Sequence, residues 1–269
     1  MNRLFKGKKP ATRDRRDLLF DEYRTCSVVP PPHPDQFGHE NLVTDWGMLG
    51  NGPDETVAPG FQGAGDCVFA GGGHETKVLN AVAGHPVIIT GKEAIADYAA
   101  VTGYDITQTD ANGDNPTDQG TSVRDALKYR QQVGLLDAEG NRHKIFAYLA
   151  IEAGNWNQLL EAIYLCDTVG IGLNLPQTAM DQFNAGQPWG VVPGATSSGG
   201  HYVSAVALRD TLLLSTWGAL QPTMQEFYEE YSDEAWGILS EESTTNGKTE
   251  EGFDMPTLLA DMKYVKTIQ

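Results

Sequence analysis

Apolar and polar positions are arranged differently in the two halves of the chain. Asp66 stands where an N-cap would, and Cys67–Ala83 behind it reads as a helix. Its Gly71-Gly72-Gly73 run costs about 1 kcal/mol per glycine relative to alanine. Such a run makes sense if the helix lies deep between lobes, where another backbone approaches closely. Glu93–Val101 and Ser122–Val133 are predicted helices, the latter with Val123, Ala126, Leu127 and Val133 as its apolar positions. Beyond them Ile145–Ile151 alternates as a strand does, Trp156–Leu165 is helical and Thr168–Leu175 is a strand. Residues 176–200 form a Gly/Pro/Ser loop. His201–Leu208 and Thr211–Trp217 are β-rich runs joined by a two-residue hairpin, Arg209-Asp210. Phe227, Tyr231 and Trp236 fall at helical spacing, which predicts a helix over Thr223–Leu239. A helical first half followed by a β-rich second half is an α+β pattern.

The ends are different in kind. Residues 1–25 are polar and charged, with a short helix expected around Leu18–Tyr23, and are read as a basic flexible arm. Residues 26–240 are read as the main domain: a surface-wrapping segment (26–66), a helical lobe (67–140) and a β-rich lobe (141–240). The wrapping segment includes Val28–Pro34, whose four prolines require extended chain. Residues 241–269 are an acidic linker and a docked terminal helix.

Charge sharpens this division. Of 269 residues, 19 are Lys or Arg and 36 are Asp or Glu, a formal charge of −17. Residues 1–16 hold seven of the cations and one acid, leaving 12 basic against 35 acidic residues elsewhere. An acidic body argues against a nucleic-acid-binding surface. Only the arm is suited to nucleic acid, to an acidic partner, or to the chain's own body; a solvated tail, dispensable for folding, is expected. No apolar run reaches the length of a membrane span, and the basic start has no apolar block behind it, so a cytoplasmic protein is expected. Three cysteines, Cys26, Cys67 and Cys166, do not form a disulfide scaffold and leave thiol chemistry open. No metal-ligand spacing is present, and neither metal nor cofactor is expected.

Three local features carry chemistry. Gln62-Gly63-Ala64-Gly65-Asp66-Cys67 is a Gly-rich turn entering a helix. A thiol at a helix N-terminus faces unpaired N–H groups and the positive end of the dipole, which lower its pKa and can hold an oxyanion. Gly199-Gly200-His201 opens a strand, where glycines let a substrate backbone come close. Ser215-Thr216-Trp217-Gly218 ends the paired strand, with Ser215 expected to meet the imidazole of His201 across the hairpin.

These residues resemble the papain-like cysteine peptidase superfamily: Cys on a long helix, His on a strand, then a segment like Asn-Ser-Trp-Gly, with Gln upstream of the Cys. His201 follows Cys67 by 134 residues, within the roughly 130–150 of papain-type enzymes. The resemblance covers residues 45–240 and looks closest to compact bacterial or phage-encoded members without a long pro-region. It implies a helical lobe, with Cys67 on its central helix, packed on a β-rich lobe. It implies Cys67 as nucleophile, His201 as base, Ser215 in the Asn position, Trp217 over that contact and Gln62 as oxyanion donor, with Gly65, Asp66 and Gly200 in support. Three features depart from the pattern: Ser215 replaces Asn, Gln62 stands five rather than six residues before the Cys, and Asp66 adjoins the nucleophile.

The expected activity is thiol-dependent hydrolysis or acyl transfer at a peptide or related amide bond, with a peptide or protein as substrate. Transamidation and deamidation would use the same site. The alternative is an inactive papain-like domain serving as a structural or interaction module, for instance on a phage particle, which would make it virion-associated.

Overall fold

The computed structural model describes residues 4–25, 36–110, 112–240 and 252–267. The short α1 (Phe20–Tyr23) and β1 (Phe37–Gly38) precede a long α2 (Cys67–Val82). Helices α3 (Gly91–Thr102) and α4 (Val123–Gln132) complete the helical half, followed by a small ribbon of β2 (Leu135–Leu136) and β3 (Arg142–His143). Next come β4 (Ile145–Ile151), α5 (Trp156–Cys166), β5 (Val169–Pro176), α6 (Gln177–Asn184) and β6 (Ser197–Leu208). The chain continues through β7 (Leu212–Thr216), β8 (Ala219–Thr223), α7 (Gln225–Tyr231) and β9 (Ser232–Ser240), and α8 is Met255–Thr267. The main sheet runs β4-β9-β5-β6-β7-β8, with β1 also on β6, and every pairing is antiparallel. The architecture is α+β, as the two-part pattern predicts.

Helix α2 is buried from Cys67 to Asn80. A Cβ on Gly71 would come within 2.5 Å of the Tyr202 ring, so the glycine run lets α2 lie directly on β6. Ser204 Oγ donates to the Gly71 carbonyl at 2.9 Å and Tyr202 Oη to Glu75 Oε1 at 2.9 Å. Glu75 also pairs with Arg130 of α4, both fully buried. A buried ion pair of this kind is weak evidence for net stability but costs several kcal/mol if one partner is lost. It therefore holds α2, α4 and β6 in one arrangement.

Four expectations need correction. The predicted helix over Thr223–Leu239 is α7 only as far as Tyr231; Ser232–Ser240 is a strand between β4 and β5. Ala235–Ser240 are buried without interruption, and a strand covered on both faces has no two-residue alternation to reveal it. The loop expected over 176–200 contains α6, and β6 begins at Ser197, before the His. The hairpin closes on Leu208 and Leu212, so its loop has three residues rather than two. The segment expected to wrap the surface sends Trp46, Leu49, Asn51 and Phe61 into the interior.

The arm also differs from the expected flexible tail. Lys8 is 5% exposed and forms β-bridges to Gly200 and to Thr121. Farther along, Arg124 donates to the Thr12 carbonyl at 2.7 Å and pairs with Asp17. Of the options open to the arm, the structure shows docking on the chain's own acidic body, where Lys8 pairs with Asp233 and Glu234. Val28–Pro34, Cys26 and residues 241–251 of the linker lie outside the described residues. No helix among the described residues is long and apolar enough to cross a membrane.

Candidate active site

The first residue of α2 is Cys67, 1% exposed. Its thiol lies against the backbone of Gly7 and of Tyr202, the residue after His201, which favours the thiolate slightly. Burial dominates over these contacts and pushes the thiol up to about 12. This corrects the expectation of a lowered pKa: the helix start favours a thiolate only where the sulfur is solvated or paired with a cation, and here it is neither. Asp66 occupies the N-cap position, but its side chain caps nothing. The carboxyl is turned toward Asn51, whose Nδ2 lies 3.3 Å from Oδ1, and complete burial holds its pKa well above the usual carboxylate range.

His201 is 1% exposed. Its Nε2 lies 2.8 Å from Thr216 Oγ1, and Nδ1 has no hydrogen-bond partner. The ring stacks on Trp217 with centroids 4.4 Å apart and planes 20° from parallel. Burial, with the Lys6 charge, drives the imidazole down to about 3. Thr216 therefore takes the place predicted for Ser215. Ser215 pairs with Ser204 in the sheet, and paired residues share a face. Ser204 points at α2, while His201, an odd number of residues away on the same strand, points to the other side. Thr216 is on that side, and Ser215 Oγ is buried without a partner.

The turn from β7 to β8 aims the indole. Thr216 pairs with Ala219, leaving Trp217 and Gly218 as a two-residue loop with φ of 46° and 74°. Two positive φ values define a type I′ turn, usually built from Asn and Gly. A tryptophan held there costs about 1–3 kcal/mol, and this backbone conformation lays its ring over the imidazole. Trp217 Nε1 donates to the Phe5 carbonyl at 3.1 Å.

Gln62 is not brought to the site: it is exposed, and its amide donates to the Gly60 carbonyl at 2.9 Å. Gly65 does reach the site. Its N–H donates to Asp118 Oδ2 at 2.8 Å, and the same carboxylate accepts from Tyr98 Oη at 2.6 Å.

A strand of the arm fills the cleft between these parts. Lys8 N donates to the Gly200 carbonyl at 3.2 Å, Lys9 N to Thr121 O at 2.9 Å, and Thr121 N to Gly7 O at 2.9 Å. Gly120, with φ +62°, leaves room for that carbonyl: a Cβ there would sit 2.0 Å from Gly7 O. The backbone that comes close to Gly200 is the chain's own: a Cβ there would lie 2.2 Å from Lys8 O. Thr216 could be found from strand parity. Asp118, Gly120 and Thr121 carry no local signal of their role, because their partners are far away in sequence.

No family model matches the chain, and no curated protein matches it in sequence. Among solved structures it is similar to xylellain, a cysteine protease from Xylella fastidiosa, at 14% identity over 89% of this chain and 98% of that one, with a TM-score of 0.66. It is similar to digestive procathepsin L 3 of Tenebrio molitor larval midgut at 11% identity, over 87% of this chain and 83% of that one, TM-score 0.53. Procathepsin B S9 from Trypanosoma congolense gives 10% identity, 88% and 87% coverage, and a TM-score of 0.53. All three matches cover more than four fifths of this chain, and the chain has the papain-like fold.

Proposed function

We propose that the chain is a thiol-dependent hydrolase or acyl transferase of peptide or related amide bonds, closed in this conformation by its own N-terminal segment. The observation that carries the reading is the imidazole. His201 is fixed through Nε2 by Thr216, shielded by Trp217, and has Nδ1 free of hydrogen bonds on the strand whose next residue touches the Cys67 thiol. With Thr216 accepting from Nε2–H, Nδ1 keeps a lone pair; no hydrogen bond joins it to the Cys67 thiol in this closed conformation, and it takes the thiol proton once the arm has left. Cys67 then attacks the carbonyl, and the unpaired N–H groups at the start of α2 stabilise the oxyanion in place of Gln62. His201 returns the proton to the leaving group, and water or a second amine resolves the acyl-enzyme.

Lys8→Met loosens the arm by removing its charge while keeping its length. In a casein and acyl-ester screen, this variant turns over substrate faster than the parent, and Cys67→Ala in the same background turns over none. Absence of thiol-dependent turnover in Lys8→Met defeats the reading. It leaves the second one, a papain-like module without catalysis, which one observation favours: thiol and imidazole are both uncharged as folded.

A further inference from the structure

The side chain of Lys8 leaves the arm's backbone and enters a pocket of its own. It is fully buried, with Nζ 2.9 Å from Asp233 Oδ2, 3.1 Å from Glu234 Oε1 and 3.0 Å from the Lys9 carbonyl. Both carboxylates come from the first residues of β9. Glu234 is nine-tenths buried. Its Oε2 accepts from Trp236 Nε1 at 2.9 Å, while Oε1 has no hydrogen-bond partner and faces only the Lys8 ammonium. Gly172 forms the wall: a Cβ there would lie 2.3 Å from Lys8 Cε and 2.6 Å from Glu234 Cγ. The pocket is therefore shaped for a long aliphatic stem ending in a cation.

We infer that this pocket is a substrate subsite selecting a lysine or arginine side chain one residue away from the residue attacked by Cys67. The inference rests on the hydrolase reading above and names the substrate class. The arm supplies the template. Gly7 touches the nucleophile and Lys8 is its neighbour. Strand-like main-chain contacts to Gly200 and Thr121 are open to any sequence, so discrimination must come from side-chain pockets. Lys6 meets only the carbonyl and hydroxyl of Ser198, which carry no charge to select by. Of the two lysines, Lys8 is the one with acids around its cation: two of them, one nearly buried. When the arm leaves, those acids face each other in a partly dry pocket, which is costly until another cation enters.

The test uses the full chain carrying Lys8→Met and Cys67→Ala, so that the arm is loosened and nothing is consumed. Fluorescence anisotropy measures binding of labelled octapeptide pools with Lys, Arg, Leu, Gly or Glu fixed at one position. The Lys and Arg pools are expected to bind at least tenfold tighter than the Leu pool. Adding Asp233→Asn and Glu234→Gln is expected to erase that preference while Leu-pool binding stays within about threefold. If that variant does not fold, Asp233→Asn alone must narrow the preference. Equal binding of all pools overturns the inference. So does a preference that survives the neutralised pocket, which would reflect only the acidity of the whole protein. Turnover by the parent with no such preference overturns the subsite alone. A preference that depends on Asp233 and Glu234 without turnover by any variant upholds the pocket and overturns the hydrolase reading.

Discussion

Cys67 and Cys166 sit at opposite kinds of helix end. Cys67 opens α2; Cys166 closes α5 beside Asp167. Both are almost fully buried, and burial pushes both thiols up. By exposure and acidity they are alike. They differ in what covers them. Cys166 belongs to the main hydrophobic core, packed under Gly237 of β9 with 3.3 Å between its sulfur and the site of an added Cβ. Cys67 belongs to a second apolar cluster with Ala64, Val68 and Phe69, and its thiol also meets Gly7, part of a strand held by backbone hydrogen bonds and by the Lys6 and Lys8 side chains. Burial by core packing is lost only on unfolding, whereas burial by a peripheral strand is lost at the much smaller cost of local opening. On the proposed reading, a reactive thiol is stored in an inert form, and the arm over Cys67 is what sets it apart from Cys166.

The comparison is broken most sharply by removing each sulfur. Cys67→Ala is expected to abolish turnover in the Lys8→Met background. Cys166→Ala is expected to leave the rate unchanged and cost roughly 1 kcal/mol of stability as a core truncation, read from the melting temperature. Equal loss of activity from both would dissolve the distinction. The next effect separates neighbours on β7. Thr216→Val keeps the shape and removes the acceptor of His201, and is expected to lower kcat about tenfold, or roughly 1.4 kcal/mol. Ser215→Ala removes a buried hydroxyl without a partner and is expected to be neutral to slightly stabilising. Reversal of that order would restore Ser215 to the site.

A smaller test concerns the histidines. Burial holds both His74 and His201 at about 3, but the Nε2 of His74 is occupied by the carbonyls of Trp46 and Gly47 at 2.9 and 3.2 Å. A histidine whose folded pKa is depressed contributes stability above its unfolded value of roughly 6.5, and that contribution is lost as pH falls toward 3. The stability advantage of the parent over His74→Gln is therefore expected to shrink by about 3 kcal/mol between pH 6.5 and 4. Denaturant titrations at the two pH values measure it. A constant advantage would mean that His74 is solvated in the native state.

Much of the candidate site was legible because its signals are local. A cysteine at a helix start, glycines before a histidine, and Trp-Gly after a strand are short patterns with direct conformational meaning. Thr216 escaped because face assignment depends on parity, and one residue exchanges every side chain between faces. The β6–β7 pairing also shifts register between Ala205 and Ala207, which makes counting across the hairpin unsafe. Strand β9 escaped because its neighbours bury both of its faces. The arm escaped for a different reason. Seven cations in sixteen residues look like a solvated tail until Asp233 and Glu234, more than 220 positions away, are placed around Lys8.

The most direct test of a catalytic thiol stored under a removable strand is competitive labelling. Parent and Lys8→Met are exposed to iodoacetamide at pH 8, and the modified cysteines are quantified by mass spectrometry over time. The parent is expected to leave Cys67 and Cys166 both unmodified. In Lys8→Met, Cys67 is expected to be labelled at least tenfold faster than in the parent, with Cys166 still protected and the melting temperature showing a folded protein. Simultaneous labelling of both thiols, or a Cys67 that stays inert once the arm is loosened, would contradict the account.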